Sequence, residues 1–524
     1  MKLQAILISA TISVAAYADT IVEGTVTDIN GQPIEAVAVS DGHKVVTTDA
    51  AGHYSISSPL DLGYIFISSP DGYEPADRIL NRPKFWHDLS DGDKATANFR
   101  LQPISSDSAL AVVAVADLQI SNRAGDRQRL HDYYVPELNR AVDSLRTQGL
   151  APVVITLGDQ TCDYFWYDNN YTLEDFNREF TVNAPVYLTM GNHDNDPYKA
   201  GDLPAASTWH RINGPSYYSF NRGGSHFVVL DNMLYNNIDG APGHSGKRDY
   251  KTGLTQAQLD WLEHDLATVT DKTAPLFLTM HGILLSFPVG EDDTLPQVYR
   301  MTNGGPQLES MLTQFSNVIV LSGHAHNNHF QHTPDHRIRE YNYAAACGTW
   351  WPARVLPHQP NFWLARDGSP CGYAVWNFST PEPTHIYKGF GMDTDSQIRI
   401  YDLNCVEIAD TTLTKDYLPG DPANRNAVLA NVWAYEPGCS VRIYEDGKEL
   451  SVKRVMAQDP LHFMLRAIPL KAEGVEVGKP LMPEATAHMF RATASRPDTE
   501  ITVVFTDRHG HTFTSTLKRP HTIL

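Results

Sequence analysis

Residues 152–160, Pro-Val-Val-Ile-Thr-Leu-Gly-Asp-Gln, join an apolar run directly to a short polar segment, and this transition decides the fold class. An apolar run of this kind is typical of a strand buried on both faces. Four further polar segments occur in the middle of the chain, most of them directly after an apolar run. These are Asp117-Leu118-Gln119, Gly191-Asn192-His193-Asp194, Met280-His281-Gly282 and Gly323-His324-Ala325-His326.

The segments between these apolar runs show helical periodicity. Residues 131–145 carry apolar side chains at helical spacing, and Thr255 precedes an amphipathic segment that it is expected to cap. Buried strands that alternate with helices indicate an α/β architecture. Because ligands of such sheets bind at the carboxyl ends of the strands, we expect the polar segments to meet at one edge of the sheet.

The polar segments combine carboxylate, amide and imidazole side chains, the mixed set that binds borderline divalent metals. Each has an ordinary structural explanation when taken alone. Asp117 suits a turn at a strand end, Asn192 a helix cap, and His281 a buried histidine with its hydrogen bonds satisfied. Their combination in one order instead predicts a hydrolase with a pair of metal ions.

The five segments resemble the D-x-H, G-D, G-N-H-D/E, H and G-H-x-H blocks of the calcineurin-like metallophosphoesterase family, over about residues 117–326. The flanking regions resemble those of its secreted bacterial members. The resemblance implies a four-layer α/β (α+β) sandwich core that holds two divalent ions: Mn, Fe or Zn, with Mg or Ca less favoured. The implied metal ligands are Asp117, Gln119, Asp159, Asn192, His281, His324 and His326.

Within that set, the resemblance makes Asp159 the ligand shared by both ions. It places Asp117, Gln119 and His326 at one ion and Asn192, His281 and His324 at the other. The first block normally ends in His, and Gln119 replaces it here. Since an amide oxygen lacks the affinity of imidazole for zinc, we expect a weaker first site that tolerates Mn or Mg better.

The resemblance also implies the reaction, which is metal-dependent hydrolysis of phosphomonoesters or phosphodiesters by in-line attack of a metal-bound hydroxide. The enzyme would be a phosphatase or a phosphodiesterase. His193 would lie over the phosphate as the general acid, and Asp194 would orient it. The alternative is a catalytically degenerate, secreted binding or adhesion module that uses its β domains. The presence of His193, His324 and His326 argues against this alternative.

The two ends of the chain carry strand patterns without helical periodicity. Residues 20–103 include a hairpin signal at Asn30-Gly31 and resemble a carboxypeptidase-regulatory-like β-sandwich. Strand patterns return beyond about Met392 and predict a C-terminal β domain. The expected divisions are a signal peptide (1–18), the N-terminal β-sandwich (19–104), the metallophosphoesterase domain (105–391) and the C-terminal β domain (392–524).

The first residues predict export. Lys2 precedes an apolar stretch that ends in Ala16-Tyr17-Ala18, a small-x-small pattern expected to be cleaved after Ala18. The apolar stretch is shorter than the roughly 20 residues of a membrane span. We therefore expect a periplasmic or extracellular protein without a transmembrane segment after cleavage.

The charge and the cysteines narrow the class of protein further. The net charge is −20 and no run of Lys or Arg occurs, which argues against binding of nucleic acid by charge.

Five cysteines leave at least one unpaired within the chain. Cys347 with Cys371, and Cys405 with Cys439, are possible disulfides, but spacing does not decide connectivity. Oligomeric state is left open.

An aromatic-rich stretch after the last polar segment supplies candidate substrate contacts. Trp350 and Trp351 could stack on a ring, and Arg354 could bind a second phosphate. Packing between the catalytic and C-terminal domains is the alternative interpretation. Adjacent tryptophans cannot both face inward on a regular strand, so we expect one to be exposed. A small phosphoester, nucleotide-like or a sugar phosphate, would suit such a site.

Overall fold

The computed structural model describes residues 19–89, 95–105, 108–285, 300–351, 354, 356 and 362–523. Along the sequence, a β-rich part precedes a central α/β part, and a second β-rich part follows. The predicted signal peptide, residues 1–18, lies outside the described residues. Among the helices that the structure describes, none has the length and apolar character needed to cross a membrane.

The central part contains two mixed β-sheets. The first central sheet has the strand order Val186–Thr189, Ala151–Leu157, Leu110–Val115, Gly372–Asn377, Thr384–Gly389, and its first three strands are parallel. The second central sheet has the order Tyr218–Arg222, Ser225–Val229, Leu276–Thr279, Val318–Ser322, Ile338–Asn342, His329–His332, and its four middle strands are parallel.

The strand Leu110–Val115 shows how the layers are built, because every one of its residues is buried. Val112 lies in the same apolar core as Phe277 of the second central sheet. Its neighbour Val113 points the other way and lies in the core that includes Leu138 of an outer helix. Successive residues of a strand face opposite sides, so a continuous apolar run is what two covered faces require.

Helices cover the outer faces of both sheets. The helix Gln256–Thr268 starts at its predicted cap, where Thr255 Oγ1 accepts from the backbone N–H of Gln258 at 3.2 Å. Its Asp265 accepts from Ser219 Oγ of the second central sheet at 2.6 Å. The α/β four-layer sandwich is therefore confirmed. The α-helices of the described residues are Asp126–Arg129, Val135–Thr147, Leu173–Glu179, Asp202–Ala205, Ser207–Asn213, Gln256–Thr268, Gly305–Leu312, Pro460–His462 and Ile468–Ala472.

The structure also contains shorter helical turns. Two π-turns continue α-helices at Leu130–Tyr134 and Phe463–Ala467. The 3₁₀ turns of the described residues are Asp163–Phe165, Asn192–Asp194, Leu403–Cys405, Pro422–Asn424 and Lys479–Leu481. Two of these turns, Asp163–Phe165 and Asn192–Asp194, lie directly after strands of the first central sheet.

The expectation of a single sheet edge is wrong, because the polar segments are divided between the two central sheets. After Val186–Thr189 the next strands along the chain no longer join the first central sheet. They are Tyr218–Arg222 and Ser225–Val229, which pair antiparallel and belong to the second central sheet. Hydrophobic periodicity identifies a buried strand but carries no information about which sheet receives it.

The N-terminal part contains two four-stranded sheets, in the orders His53–Ser58, Thr20–Asp28, Phe99–Pro103, Tyr73–Pro75 and Val45–Thr47, Ala38–Ser40, Tyr64–Ser68, Trp86–Asp88. The turn predicted at Asn30-Gly31 forms, with Gly31 N–H donating to Asp28 O at 3.0 Å. The predicted hairpin is confirmed beside the turn, where Thr27 pairs antiparallel with Pro33 and Asp28 N–H donates to Gln32 O at 2.8 Å. It is short, because Thr20–Asp28 pairs mainly with His53–Ser58 and Phe99–Pro103, while Ala38–Ser40 joins the other sheet.

The C-terminal part also contains two four-stranded sheets. Their orders are Arg399–Asp402, Ala427–Asn431, Thr486–Thr493, Lys453–Ala457 and Lys448–Glu449, Ser440–Glu445, Glu500–Thr506, Thr512–Lys518. The change from the central sheets to these sheets falls between Gly389 and Arg399, in the loop that holds the predicted boundary at 391/392. Two-stranded ribbons are formed by Arg78–Ile79 with Arg82–Pro83 and by Met233–Tyr235 with Tyr250–Thr252.

Both possible disulfides are wrong, because all five cysteines are described and all five are free thiols. Cys347 lies against Gln119, with its Sγ 3.5 Å from Gln119 Oε1. Cys371 instead lies beside the guanidinium of Arg129, at 3.6 Å. The spacing of these cysteines in the sequence therefore did not indicate which side chains they contact.

We expect the N-terminal part to be held to the central part by a buried ion pair. Glu74 binds Arg222 at 3.1 Å and Arg78 at 2.6 Å, and the Arg222 side chain is only 9% exposed. Glu74→Gln leaves a buried guanidinium without its counter-charge and should cost about 3 kcal/mol of unfolding free energy. Urea unfolding followed by tryptophan fluorescence measures this loss.

The matched control is Asp77→Asn, because the pair of Asp77 with Arg100 is exposed on both sides. It should cost less than about 1 kcal/mol. Equal unfolding midpoints for Glu74→Gln and the wild type would contradict the assigned role of the buried pair.

Candidate metal centre

The two central sheets bring their polar segments together at their carboxyl ends. The first sheet contributes three predicted metal ligands, each directly after a strand: Asp117, Asp159 and Asn192. The second sheet contributes three more, also after strands: His281, His324 and His326. The seventh, Gln119, follows Asp117 on the same loop. All seven lie in or beside one cluster.

The distances within this cluster are those of side chains that share one small site. His281 Nε2 lies 3.1 Å from Asp159 Oδ2 and 4.0 Å from Asp117 Oδ1. His326 Nε2 lies 3.3 Å from Asp117 Oδ1, and His324 Nδ1 lies 3.2 Å from His281 Nε2. One ligand atom from each of Asp159, His281 and His324 lies within 4.8 Å of the others. The side chains of the predicted metal ligands are therefore in contact across the two central sheets.

The backbone of the cluster is strained at five of the predicted ligands. Asp117, Gln119, Asp159, His324 and His326 have φ angles of 49°, 45°, 53°, 69° and 56°. The left-handed region costs non-glycine residues free energy and is held only where surrounding contacts over-determine it. These conformations turn each side chain from the strand end into the shared site.

Two glycines allow the segments to approach each other. A Cβ at Gly191 would lie 2.2 Å from Asp159 Oδ1, and a Cβ at Gly158 would lie 2.3 Å from His281 Nδ1. Both distances are far below van der Waals contact, so larger residues at either position would displace a predicted ligand. The glycines of the G-D and G-N-H-D segments are thus explained by close packing around Asp159 and His281.

Backbone carbonyls set the orientation of two imidazoles. His281 Nδ1 lies 2.7 Å from Leu157 O, and His326 Nδ1 lies 3.0 Å from Gly348 O. A carbonyl oxygen accepts only from a protonated nitrogen, so Nδ1 carries the hydrogen in both rings. Nε2 is left directed at the carboxylates, which is the arrangement that metal-binding histidines adopt.

The electrostatics of the cluster favour a positive charge. Burial alone would lower the pKa of His281, but Asp159 and Asp117 raise it to about 10. Burial likewise opposes ionisation of Asp159, yet His281 and His193 hold its pKa far below the usual range. The negative charge that would keep a proton on His281 equally favours a metal cation in its place.

Two buried oxygens in the cluster are free to bind metal ions. Asp117 Oδ1 and Asn192 Oδ1 are both buried and have no hydrogen-bond partner. Such orphaned oxygens are costly unless a cation satisfies them. The Gln119 side chain also reaches the cluster, where Nε2 donates to Asp159 Oδ2 at 3.1 Å and lies 3.2 Å from His326 Nε2. Carboxylate, amide and imidazole groups together suit borderline divalent ions.

The predicted general acid His193 lies next to the cluster. Its backbone N–H donates to Asp159 Oδ1 at 2.8 Å, and its Nδ1 lies 2.6 Å from Asp163 Oδ1. Burial would lower the pKa of His193, but Asp159 and Asp163 raise it to about 9. Tyr235 in turn donates to Asp163 Oδ2 at 2.9 Å. This chain of contacts holds the imidazole protonated and leaves Nε2 as its free donor.

The expectation that Asp194 orients His193 is wrong. The Asp194 carboxylate accepts from Gly191 N–H at 2.9 Å and from Thr161 N–H at 3.1 Å. Asp194 is the third residue of a 3₁₀ turn, so its side chain folds back to cap that turn. Asp163 takes the orienting role instead. Its position four residues after Asp159, in the same loop, was the available sequence signal.

The candidate substrate contacts are only partly brought to the cluster. The Trp350 ring is half-exposed and lies 4.5 Å from the His326 ring. Trp351 is 8% exposed and packs on Phe165, so Trp350 is the more accessible of the two although it is only partly exposed. Arg354 is exposed and its N–H donates to Leu465 O of the C-terminal part. Packing between domains therefore explains Trp351 and Arg354 better than substrate binding.

Sequence reasoning missed two tyrosines at the rim of the cluster. Tyr164 is 48% exposed, and its ring lies 5.3 Å from the His193 ring, with the Arg248 guanidinium 3.8 Å above it. Tyr250 is 37% exposed and its ring lies 5.7 Å from the His324 ring. Neither belongs to a metal-ligating segment, so no local pattern identified them.

Parts of this chain are similar in sequence to known phosphatases. Purple acid phosphatase 23 of Arabidopsis thaliana is 29% identical over 163 residues, which are 29% of this chain and 30% of that protein. Human serine/threonine-protein phosphatase CPPED1 is 28% identical over 151 residues, which are 28% of this chain and 42% of that protein. This chain thus spans less than half the length of these curated relatives. The solved structure of purple acid phosphatase PPD1 from yellow lupin (Lupinus luteus) aligns over 71% of both chains, with 12% identity and a TM-score of 0.35.

The two-sheet core and its cluster of side chains define a metallophosphoesterase fold. Three family models match successive parts of the sequence: the N terminal of calcineurin-like phosphoesterase over residues 20–104, calcineurin-like phosphoesterase over 110–328, and the C terminal of calcineurin-like phosphoesterase over 340–513. The chain belongs to the calcineurin-like phosphoesterase family.

The close approach at Gly191 gives a direct test of the cluster. Gly191→Ala places a methyl group where Asp159 Oδ1 now lies, although the φ of −113° at this position is open to alanine. The displaced carboxylate should weaken metal binding by at least about tenfold. Elemental analysis of protein equilibrated with manganese or zinc measures the retained metal.

Gly478→Ala is the matched control, because its φ is −71° and the nearest atom to an added Cβ, Pro480 Cδ, lies at 3.7 Å. Its metal content should equal that of the wild type. A Gly191→Ala variant that retains the full complement of metal would show that Asp159 is not a ligand.

Proposed function

We propose that this protein is an exported phosphoesterase that depends on a pair of divalent metal ions. The observation that supports this proposal most strongly is the pair of orphaned, buried oxygens, Asp117 Oδ1 and Asn192 Oδ1, within a cluster of imidazoles and carboxylates. Export is supported by the composition of residues 1–18 alone.

The residues divide into two sets around one shared carboxylate. Asp159 lies between the two central sheets and would serve both ions. Asp117, Gln119 and His326 would hold one ion, whereas Asn192, His281 and His324 would hold the other. Bound there, the ions would supply the Lewis acidity that activates water and offsets the charge of a phosphate group.

His193 would supply the proton that the leaving group needs. Asp163 holds Nδ1 at 2.6 Å, so Nε2 is the nitrogen available to the substrate. The Asp163 carboxylate beside Nδ1 raises the pKa of His193 and so favours the protonated ring. A protonated imidazole can stabilise the negative charge that develops on phosphate oxygens and protonate the departing oxygen. Asp163, held by Tyr235, acts as the positioning residue for His193.

The rim of the cluster favours a small phosphoester that carries a ring. Tyr164, Tyr250 and Trp350 each lie beside a different histidine of the cluster, and all are partly exposed. Aromatic faces at these positions could stack on an aryl, sugar or base ring. Arg248 lies above Tyr164 and adds a positive charge for a second anionic group. A nucleotide-like or sugar-phosphate ester fits this description.

The alternative of a degenerate binding module has no support in the geometry. Each of the seven predicted metal ligands lies in or beside the cluster, and His193 is held in a position to donate. A degenerate relative would be expected to lack at least one of these groups.

The function is tested with p-nitrophenyl phosphate and bis-p-nitrophenyl phosphate as monoester and diester probes. We expect hydrolysis of at least one probe after loading with Mn, Fe or Zn, loss of activity with a chelator, and recovery when metal returns. The ratio of the two rates separates phosphatase from phosphodiesterase. Complete inactivity with all of these ions on a broader phosphoester panel would contradict the proposal.

Substitution of His193 should separate catalysis from metal binding. His193→Ala removes the proton donor but none of the proposed ligands, so turnover should fall by roughly 10²–10⁴ with both ions retained. Steady-state kinetics and elemental analysis on the same sample measure the two effects. His264→Ala, an exposed histidine on the helix Gln256–Thr268, is the control. Loss of an ion in His193→Ala would instead make His193 a metal ligand.

A further inference from the structure

A second group of metal-ligating side chains lies away from the cluster described above. His385 belongs to the edge strand Thr384–Gly389 of the first central sheet. Glu436 and His509 belong to the C-terminal part, the first beyond strand Ala427–Asn431 and the second in the turn between Glu500–Thr506 and Thr512–Lys518. One ligand atom from each lies within 4.8 Å of the others.

We propose that His385, Glu436 and His509 form a binding site for a zinc-like divalent ion that joins the central α/β part to the C-terminal β part. The three residues come from three separate elements, and their spacing in the sequence matches no metal-binding motif. This site is independent of the proposed phosphoesterase function and shares no residue with it.

His385 presents Nε2 to Glu436, with Nε2 at 3.9 Å from Oε1, which is too far for a hydrogen bond. Two ligands of one tetrahedral zinc ion, each about 2 Å from it, are separated by roughly 3.3 Å. A shift of about 0.6 Å would therefore bring these two atoms to the separation that zinc requires. The His385 side chain is 5% exposed, and its other ring nitrogen, Nδ1, is also buried without a hydrogen-bond partner.

His509 shows the same lack of a partner. Its Nε2 is buried and has no hydrogen bond, although the residue as a whole is half-buried. A buried, unpaired ring nitrogen costs free energy that a metal bond would recover. Because His509 lies in a hairpin turn, a small movement of its ring can close the remaining distance to the other two ligands.

The ring of His385 is held rigidly in place. The Trp376 ring stacks on it at 4.5 Å and 22°, and the Tyr341 ring meets it edge-on at 4.6 Å. These two aromatic contacts fix the directions in which the ring nitrogens of His385 point.

The second oxygen of Glu436 is held by other groups, which orients the carboxylate. Oε2 accepts from Tyr341 Oη at 3.1 Å and from Arg508 Nη1 at 3.4 Å, so Oε1 faces His385. Hydrogen bonds of this kind fix the ligands of a metal site. Glu436 is therefore presented to the site through a single oxygen.

Nearby arginines do not exclude a cation, because carboxylates balance them. Arg508 and Arg339 both bind Glu382 Oε1, at 3.3 Å and 2.9 Å, and Arg508 also binds Glu436. Two guanidinium groups thus face two carboxylates, so the formal charges of these four side chains cancel. Burial raises the pKa of Glu436 to about 7, and a cation beside its carboxylate would favour the ionised form.

A cavity of about 360 Å³ lies beside the site, and Glu436 is the proposed ligand in its lining. The lining also includes Arg508, Tyr341 and two further histidines, His332 and His336, whose rings stack at 3.9 Å. Solvent can therefore reach the Glu436 side of the site.

The test uses the full-length protein, stripped of metal and re-equilibrated with zinc chloride, and elemental analysis counts the bound zinc. His509→Asn should bind one zinc ion fewer per chain than the wild type, and Glu436→Gln should show the same loss. His511→Asn is the matched control, because His511 lies two residues away, is 62% exposed and pairs with Asp507. Its zinc content should equal that of the wild type.

A second protein separates this site from the proposed active site. In Asp159→Ala/His281→Ala, which removes the shared ligand of the proposed active site and a further ligand of its second ion, the ion at His385 should remain and should be lost only when His509→Asn is added. Replacement of zinc by cobalt should give a visible absorption band in the double variant that disappears in the triple variant. Equal zinc content in the wild type, His509→Asn and Glu436→Gln would overturn the proposal, whatever the phosphoesterase assay shows.

Discussion

The architecture of the site depends on the burial of two carboxylates, Asp117 and Asp159, at the seam between the central sheets. Both side chains are almost completely excluded from solvent. A buried carboxylate is costly unless positive charge lies beside it. Imidazoles from the opposite sheet approach both of them, and the strained φ angles and the close glycine contacts serve this approach. Bound cations would neutralise the remaining negative charge of the two carboxylates.

Much of this site could be predicted from the sequence, because each polar segment follows a buried strand and the strand ends meet in space. Tyr250 was missed because it acts through a contact with a distant histidine, and Asp163 was missed although it lies in the same loop as Asp159. The division into two sheets was missed because long-range packing decides which sheet accepts a strand. Ala38–Ser40, which follows the turn at Asn30-Gly31 and joins the other N-terminal sheet, shows the same effect.

The C-terminal part contributes to the shape of the proposed active site, although none of the seven predicted metal ligands of that site comes from it. The Arg466 guanidinium donates to the backbone carbonyls of Trp350 and Trp351. Both tryptophans have positive φ angles, so this contact helps to hold a strained turn in which Trp350 faces His326. The packing of the C-terminal part against the central part therefore affects the position of Trp350 at the rim of the proposed active site. An ion at His385, Glu436 and His509 would strengthen that docking.

Anomalous X-ray diffraction from crystals grown with manganese or zinc tests the central claim most directly. We expect two anomalous peaks about 3.5–4 Å apart on either side of the Asp159 carboxylate. One peak should lie beside Asp117 and His326, and the other beside Asn192 and His281. A single peak, or none within reach of Asp159, would contradict the binuclear centre on which the proposed function depends.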